Sequence, residues 1–179
     1  MAQDVIIYQY NSLHSIMFKK ILIPALVCVS IFNSCKTIKS TAMPATKSYA
    51  IRLKPGADLK KSIQSFVTAH NIQAGWIVTC AGSLTVYNLR FANQPSGTNG
   101  TGYFEIVSLG GTLSVNGSHI HLGISDSTGK TIGGHLLEGC IVYTTAEIVI
   151  QQSNDLIFTR KKDGTTEWEE LQIEEKKEK

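Results

Sequence analysis

The sequence has little of three features that would place it in a specialised class of protein. Only 4 of its 179 residues are cysteine, too few for a small domain held together by disulfides. Its formal net charge is only +3 and its basic residues are scattered, unlike the clustered charge of a nucleic-acid-binding surface. Internal repeats are also missing. The remaining composition, with 15 glycines, 8% aromatic and 42% hydrophobic residues, is typical of one globular domain.

The first 35 residues differ from the rest of the chain. Met17 precedes a phenylalanine and two lysines, an apolar run follows over residues 21–32, and Asn-Ser-Cys35 ends the segment. This order of basic, apolar and small residues before a cysteine resembles a bacterial lipoprotein signal. It predicts a leader over residues 1–35, with Met17 as an alternative start. An uncleaved membrane anchor is the other interpretation, although the apolar run is shorter than the about 20 residues that a spanning helix needs.

The leader prediction divides the chain. Cys35 becomes the lipidated N-terminus, residues 36–47 are a polar linker, residues 48–173 form the folded domain and residues 174–179 are a charged tail. The protein is then expected in the periplasm or cell envelope, attached to the membrane by its lipid. A cytoplasmic location is the alternative.

Two cysteines, Cys80 and Cys140, fall inside the predicted domain. In an oxidising compartment they could form a disulfide. Because each lies in an apolar strand pattern, two buried free thiols are the favoured interpretation.

The pattern of the domain begins with a strand over residues 48–54, ended by Pro-Gly. A helix follows, capped by Asp58 and with apolar residues at i, i+4, i+7 and i+8 from Leu59. Asn71 suits its C-terminal exit. His70 lies in the last turn, where the helix dipole favours a cation, so a structural role is expected for it.

The sequence pattern predicts mainly strands in the rest of the domain. Residues 74–92 predict two strands or one strongly bent strand, and the glycine-rich residues 94–102 predict a mobile loop. Further strands are predicted over residues 103–113, 118–125, 131–137, 140–150, 156–162 and 168–173. The fold class is therefore α+β, with a largely antiparallel sheet and one main helix.

Three of the five histidines fall in one predicted hairpin, residues 117–139. Asp126 to Lys130 has the composition of a three-residue hairpin loop with Gly129 at positive φ. Pairing Asp126 with Lys130 places His121 opposite His135.

His119, two residues before His121, then lies diagonally across from His135, with β-carbons on the order of 5 to 8 Å apart. Three imidazoles without a fourth protein ligand are typical of a catalytic zinc site with one open position. The alternative is that these are strand histidines that share no ion. A bulge at Gly133-Gly134 would spoil the register.

Several other charged residues are weaker candidates. Glu105 lies in an otherwise apolar strand, and Glu138 and Glu147 lie at strand positions where a solvated carboxylate is the more ordinary interpretation. Arg90 could hold a carboxylate in bidentate fashion, and a structural ion pair is an equal alternative.

Most of the predicted domain resembles the plants-and-prokaryotes conserved domain. The resemblance rests on the histidine hairpin and on the segments IRLKPG (51–56), GWIVTCAGSL (75–84) and FEIVSL (104–109). It implies a compact α+β domain that assembles as a homotrimer. In plants this domain accompanies AT-hook DNA-binding segments, and bacterial members are often named for DNA binding. No AT-hook, an Arg-Gly-Arg core among basic residues, occurs in this sequence.

The pattern His-Ile-His (119–121) followed by Gly-Gly-His (133–135) is also similar to the zinc segment of α-acetolactate decarboxylases. This resemblance implies a related fold, with a barrel-like twisted sheet, and His119, His121 and His135 as ligands of zinc or another divalent transition metal. It also implies a catalytic glutamate, for which Glu105 is the candidate.

Three hypotheses follow from the sequence. The first is an exported metal-dependent lyase or hydrolase, or a binder of a small carbonyl or carboxylate compound. The second is a DNA-binding or DNA-associated trimeric module, which the nearly balanced charge disfavours. The third is a trimeric interaction module whose histidine site is vestigial.

Overall fold

The computed structural model describes residues 46–177. The predicted leader and nearly all of the predicted linker lie outside these residues. The described part contains one helix, α1 (Leu59–Ala69), and eight strands: β1 (Thr46–Leu53), β2 (Gly75–Arg90), β3 (Thr98–Leu113), β4 (His119–Ser125), β5 (Thr131–Leu136), β6 (Ile141–Ser153), β7 (Leu156–Lys161) and β8 (Glu170–Glu175). No helix among residues 46–177 has the length and apolar character that crossing a membrane requires.

Helix α1 forms as its sequence pattern predicts. Leu59, Ile63 and Val67 recur on one face and are completely buried against the sheet. The Asp58 carboxylate caps the first turn by accepting a hydrogen bond from the Lys61 amide at 3.0 Å. Asn71 leaves the helix with φ at 49°, the left-handed conformation expected at such an exit.

His70 belongs to the helix end and not to a site. Its Nδ1 lies 3.0 Å from the Phe66 carbonyl oxygen, and its ring stacks on the Phe66 ring with centroids 4.0 Å apart. Tyr49 of β1 packs edge-on against both rings. These contacts agree with the structural role expected from the sequence.

The main sheet has the strand order β1-β6-β2-β3-β4-β5, and all of its pairs are antiparallel. Strand β2 also pairs with β5, through Leu89 opposite Leu136 and Arg90 opposite His135. Strands β2, β3, β4 and β5 are therefore linked in a circuit. The prediction of a largely antiparallel α+β fold with one helix is confirmed, and a separate two-stranded sheet is formed by β7 and β8.

Strand β2 is the long irregular strand that the sequence predicted. It runs for 16 residues, and its pairing with β6 shifts register between Ile77 and Thr79, between Gly82 and Leu84, and between Leu84 and Val86. These irregularities bend one strand instead of dividing it in two.

The predicted mobile loop over residues 94–102 is wrong in its second half. Strand β3 begins at Thr98, which pairs with Leu89. A β-carbon on Gly100 would lie 2.7 Å from the Tyr87 ring, so this glycine allows an aromatic side chain to lie flat on the neighbouring strand. Glycine here permits close packing within a sheet and does not mark a flexible segment.

The two cysteines of the described residues are free thiols, as favoured from the sequence, but only Cys140 is fully buried and Cys80 is half-buried. Cys140 is buried, and its sulfur accepts a hydrogen bond from the Asn88 amide at 3.2 Å. Burial raises the pKa of both thiols, Cys80 and Cys140, to about 11, so they remain protonated at neutral pH.

Candidate metal centre

The hairpin of β4 and β5 is closed by the predicted turn. The Asp126 amide donates to the Lys130 carbonyl oxygen at 3.0 Å, and the Gly129 amide donates to the Asp126 carbonyl oxygen at 2.9 Å. Gly129 has φ at +83°, the conformation that glycine adopts at low cost. The Asp126 carboxylate also accepts from the amides of Thr128 and Lys130, which rigidifies the turn.

The turn sets the predicted register. His121 lies opposite His135, and the pairing continues without a shift through Leu122 and Gly134. No bulge occurs at Gly133-Gly134, the position where the sequence allowed one. A β-carbon on Gly134 would come 2.6 Å from the Arg90 carbonyl oxygen, so this glycine allows β5 to approach β2.

The three predicted ligands come together on one side of this hairpin. His119 Nε2 lies 3.2 Å from His121 Nε2 and 3.0 Å from His135 Nδ1, and one nitrogen of each ring lies within 4.8 Å of the others. The rings of His119 and His135 are nearly parallel, at 8°, and the His121 ring is close to perpendicular to both.

These spacings suit a shared ion. Two nitrogens bound 2.0–2.1 Å from a tetrahedral zinc lie about 3.3–3.4 Å apart, close to the 3.0 and 3.2 Å found here. Hydrogen bonds alone explain these short distances less well. His119 Nε2 faces one nitrogen of each of the other two rings, but it carries either one hydrogen or one lone pair and so can form only one of the two contacts as a hydrogen bond. The donor set therefore fits zinc or a similar divalent transition metal.

The electrostatics of the cluster favour neutral imidazoles. Burial, the Arg90 guanidinium and the two other histidines lower the pKa of His135 to about 4. Burial, Arg160 and His121 lower the pKa of His119 as well. Both rings are thus deprotonated at neutral pH, which is the form that binds a metal.

A cavity of about 670 Å³ opens beside the histidines. Its walls include His119, His135, Arg90 of β2, Arg160 of β7 and Trp168, which precedes β8. The walls therefore come from the main sheet and from the β7–β8 sheet.

The sequence interpretation missed Arg160 and Trp168. A signal for Arg160 existed, because Arg160 is two residues from Phe158 on a strand and so shares its inward face. Trp168 carried no such signal: the sequence placed it at the start of the predicted strand over residues 168–173, whereas β8 begins at Glu170.

Glu105 is not brought to the cluster within this chain. It is exposed on β3, opposite Ser125, which lies four residues beyond His121 on β4 and hence about 13 Å away along the strand. The other two candidate glutamates, Glu138 and Glu147, are exposed too, and Glu138 forms an ion pair with Lys61 at 3.3 Å. Glu147 lies opposite Arg52 on β1.

Comparison with known families and proteins gives several matches. The profile of the Plants and Prokaryotes Conserved (PCC) domain matches residues 40–154. The Bifunctional protein GlmU of Synechococcus sp. (strain JA-3-3Ab) is 42% identical over 126 residues, which are 70% of this chain and 20% of that protein. The chain thus spans about a fifth of the length of this curated relative.

Two solved structures illustrate the fold relationship. A hypothetical protein from Salmonella enterica has 40% sequence identity and a TM-score of 0.73, over 75% of this chain and 97% of that one. A candidate DNA-binding protein from Bacteroides thetaiotaomicron has 21% identity and a TM-score of 0.62, over 73% and 98% of the two chains.

Proposed function

Since the chain belongs to the Plants and Prokaryotes Conserved domain family, we propose that it binds a divalent transition metal, zinc in the first place, through His119, His121 and His135. The open side of this centre faces a cavity of about 670 Å³. When bound, such an ion polarises a carbonyl oxygen or lowers the pKa of a water molecule. The proposed activity is lyase or hydrolase chemistry on a small carbonyl or carboxylate compound.

The observation that carries this proposal is the meeting of three imidazole nitrogens at 3.0 and 3.2 Å. Their backbones are fixed by two strand pairings, β4 with β5 and β5 with β2. A set of ligands held in this way needs little rearrangement to bind an ion. The circuit of β2 to β5 also supports the barrel-like, decarboxylase-related sheet that we propose for the domain.

The direct test is the metal content of protein purified without a histidine tag. We expect about one zinc per chain in the wild type and almost none in the His119→Ala/His121→Ala double variant. His70→Ala is the matched control. Because His70 packs on Phe66 at the helix end, this variant should retain the metal. Equal and negligible metal in the wild type and the double variant would contradict the proposal.

Assembly as a homotrimer is part of the proposal. Tyr103, Val107 and Tyr143 are large side chains that remain 66%, 55% and 42% exposed, and the two tyrosine rings lie 4.8 Å apart. An exposed apolar surface of this kind suits a subunit interface. Glu105 lies between Tyr103 and Val107 on β3, so its proton-transfer role is proposed across that interface and not within one chain.

Analytical ultracentrifugation tests the assembly. The wild type should sediment at three times the mass of the chain, and Val107→Glu should dissociate it because burying an unpaired carboxylate is costly. Ile173→Glu alters a comparably exposed residue on β8 and serves as the control. A monomeric wild type would refute the homotrimer and, with it, the trimeric interaction module with a vestigial site.

DNA binding is the second candidate function. It is favoured by the name of the Bacteroides thetaiotaomicron neighbour, which shares the fold. The net charge of +3 offers few clustered cations for phosphate neutralisation. A gel-shift titration at 50 and 200 mM salt distinguishes the functions: a shift at low salt that weakens steeply at high salt would favour DNA, and no shift at low salt would exclude it.

A further inference from the structure

We propose that Arg90 and Arg160 form a carboxylate-binding subsite beside the histidine cluster, which selects small monocarboxylates for the metal centre. The inference rests on the proposed metal function and adds the class of ligand. It comes from two guanidinium groups that the fold places next to two of the three histidines.

Arg90 is fixed beside His135 by backbone pairing. The two residues lie directly opposite each other on β2 and β5, where cross-strand side chains share a face and are about 5 Å apart at their β-carbons. The Arg90 guanidinium lies over the Trp168 ring, 5.2 Å from its centroid. This cation–π contact orients the group without neutralising its charge.

Arg160 approaches the cluster from the β7–β8 sheet. Its Nη2 donates to the Thr112 hydroxyl at 2.8 Å, and Thr112 lies opposite His119. Its Nη1 donates to the Glu169 carbonyl oxygen at 3.4 Å, and its Nε is buried without a hydrogen-bond partner. These two hydrogen bonds hold the guanidinium in place at the cavity wall, and each uses only one of the two N–H groups of its Nη nitrogen, so the others remain for a ligand.

Neither arginine has a carboxylate partner in the described part of the chain. The ion pairs found there are Lys61 with Glu138 and Lys161 with Glu174, and both lie elsewhere. Two unpaired guanidinium groups that face one cavity are a receptor for an oxyanion, because their planar N–H donors match two oxygens at once.

The charges on the cavity wall are nearly balanced before a metal binds. Glu169 and Glu170 line the same cavity and bring two negative charges to balance the two arginines. A bound zinc ion would add two positive charges to this wall, so a carboxylate and a phosphate are both attracted, and the position of the ligand's second oxygen decides between them. A ligand whose carboxylate lies on the arginines and whose neighbouring oxygen faces the histidines satisfies both halves of the site.

Pyruvate and methyl pyruvate are suitable probes, because both contain the pyruvoyl group and the methyl ester replaces the charged carboxylate of pyruvate by a neutral group. Calorimetric titration of the zinc-loaded protein should show binding of pyruvate and little binding of the ester. Arg160→Gln and Arg90→Gln should each weaken pyruvate binding about 10- to 100-fold, the effect of losing a charge-assisted hydrogen bond. Arg52→Gln removes a charge on β1, where Arg52 bonds Thr145, and should leave the affinity unchanged.

The outcomes separate this inference from the proposed function. Pyruvate affinity equal in the wild type and both site variants, with zinc retained, overturns the subsite and leaves the metal proposal intact. Inorganic phosphate binding more tightly than pyruvate overturns the ligand class. If the wild type binds no zinc, the metal proposal fails. The metal-free protein is then titrated with pyruvate. If the affinity for pyruvate is the same in the wild type and in both arginine variants, the subsite is refuted. Arg160→Lys keeps the positive charge and is the control for a folding defect in Arg160→Gln.

Discussion

Replacing Gly134 by alanine tests how the metal centre is positioned. A β-carbon at this residue would lie 2.6 Å from the Arg90 carbonyl oxygen and 3.1 Å from its carbonyl carbon. Both contacts are with backbone, so β5 must move away from β2. Overpacking of this kind costs about 1–3 kcal/mol in the free energy of unfolding. His135 is the next residue, and its imidazole must move with the strand.

Gly110→Ala is the matched control. Gly110 lies opposite His121 on β3, and a β-carbon there would contact nothing within 4 Å. Alanine at a compatible glycine position stabilises by about 0.4–1 kcal/mol, because it restricts the unfolded chain. The unfolding free energies of the Gly134→Ala and Gly110→Ala variants should therefore differ by about 1.5–4 kcal/mol.

Urea denaturation of the metal-free variants measures this difference, and zinc titration against a chelator measures the site. We expect zinc affinity to fall about tenfold or more for Gly134→Ala, as when a supporting contact of a ligand is lost, and to stay at the wild-type value for Gly110→Ala. If the two variants have the same stability and the same zinc affinity, the close contact of β5 with β2 does not position His135.

Three further predictions concern stability and processing. Because the pKa of His135 is lowered to about 4 in the folded chain, the unfolded chain takes up a proton at this residue before the folded chain does as the pH falls from about 6.5 to 4. The lowered pKa of His119 acts in the same direction. The unfolding free energy of the metal-free protein should fall across that range as the pH decreases, and His135→Gln should flatten the profile in urea denaturation. Asp58 accepts hydrogen bonds from the amides of Lys61 and Gly139, so Asp58→Ala should lower the unfolding free energy by about 1–3 kcal/mol, and Asp58→Asn by less. Cys35→Ser should abolish incorporation of labelled palmitate in cells; equal labelling of both proteins would refute the lipoprotein leader.

The histidine cluster was predictable because it depends on local rules. The alternation of a strand, the length of the turn and the freedom of Gly129 together fix which residues face each other. Once Asp126 pairs with Lys130, the partner of His121 follows by counting. The helix from Leu59 followed from periodicity and a capping residue in the same way.

The remainder of the site depends on contacts that are distant in the sequence. Arg160 and His119 are brought together by docking of the β7–β8 sheet, and no local pattern encodes that arrangement. The loop prediction failed at Gly100 because glycine is common both in loops and where an aromatic ring packs on a strand. Glu105 shows the same difficulty, since a short sequence match gives its strand but not its distance from the histidines.

The site has two parts, one on the main sheet and one on the two-stranded β7–β8 sheet. A two-stranded ribbon is marginally stable alone. Its middle is attached to the main body through Phe158, whose amide donates to the Gln73 carbonyl and whose carbonyl accepts from Ser114 and Asn116. Local opening of the ribbon would withdraw Arg160 while the histidines stay on the main sheet. Amide hydrogen exchange in β7 and β8 would then report ligand capture separately from metal binding, because a carboxylate held by Arg160 slows the opening of the ribbon alone.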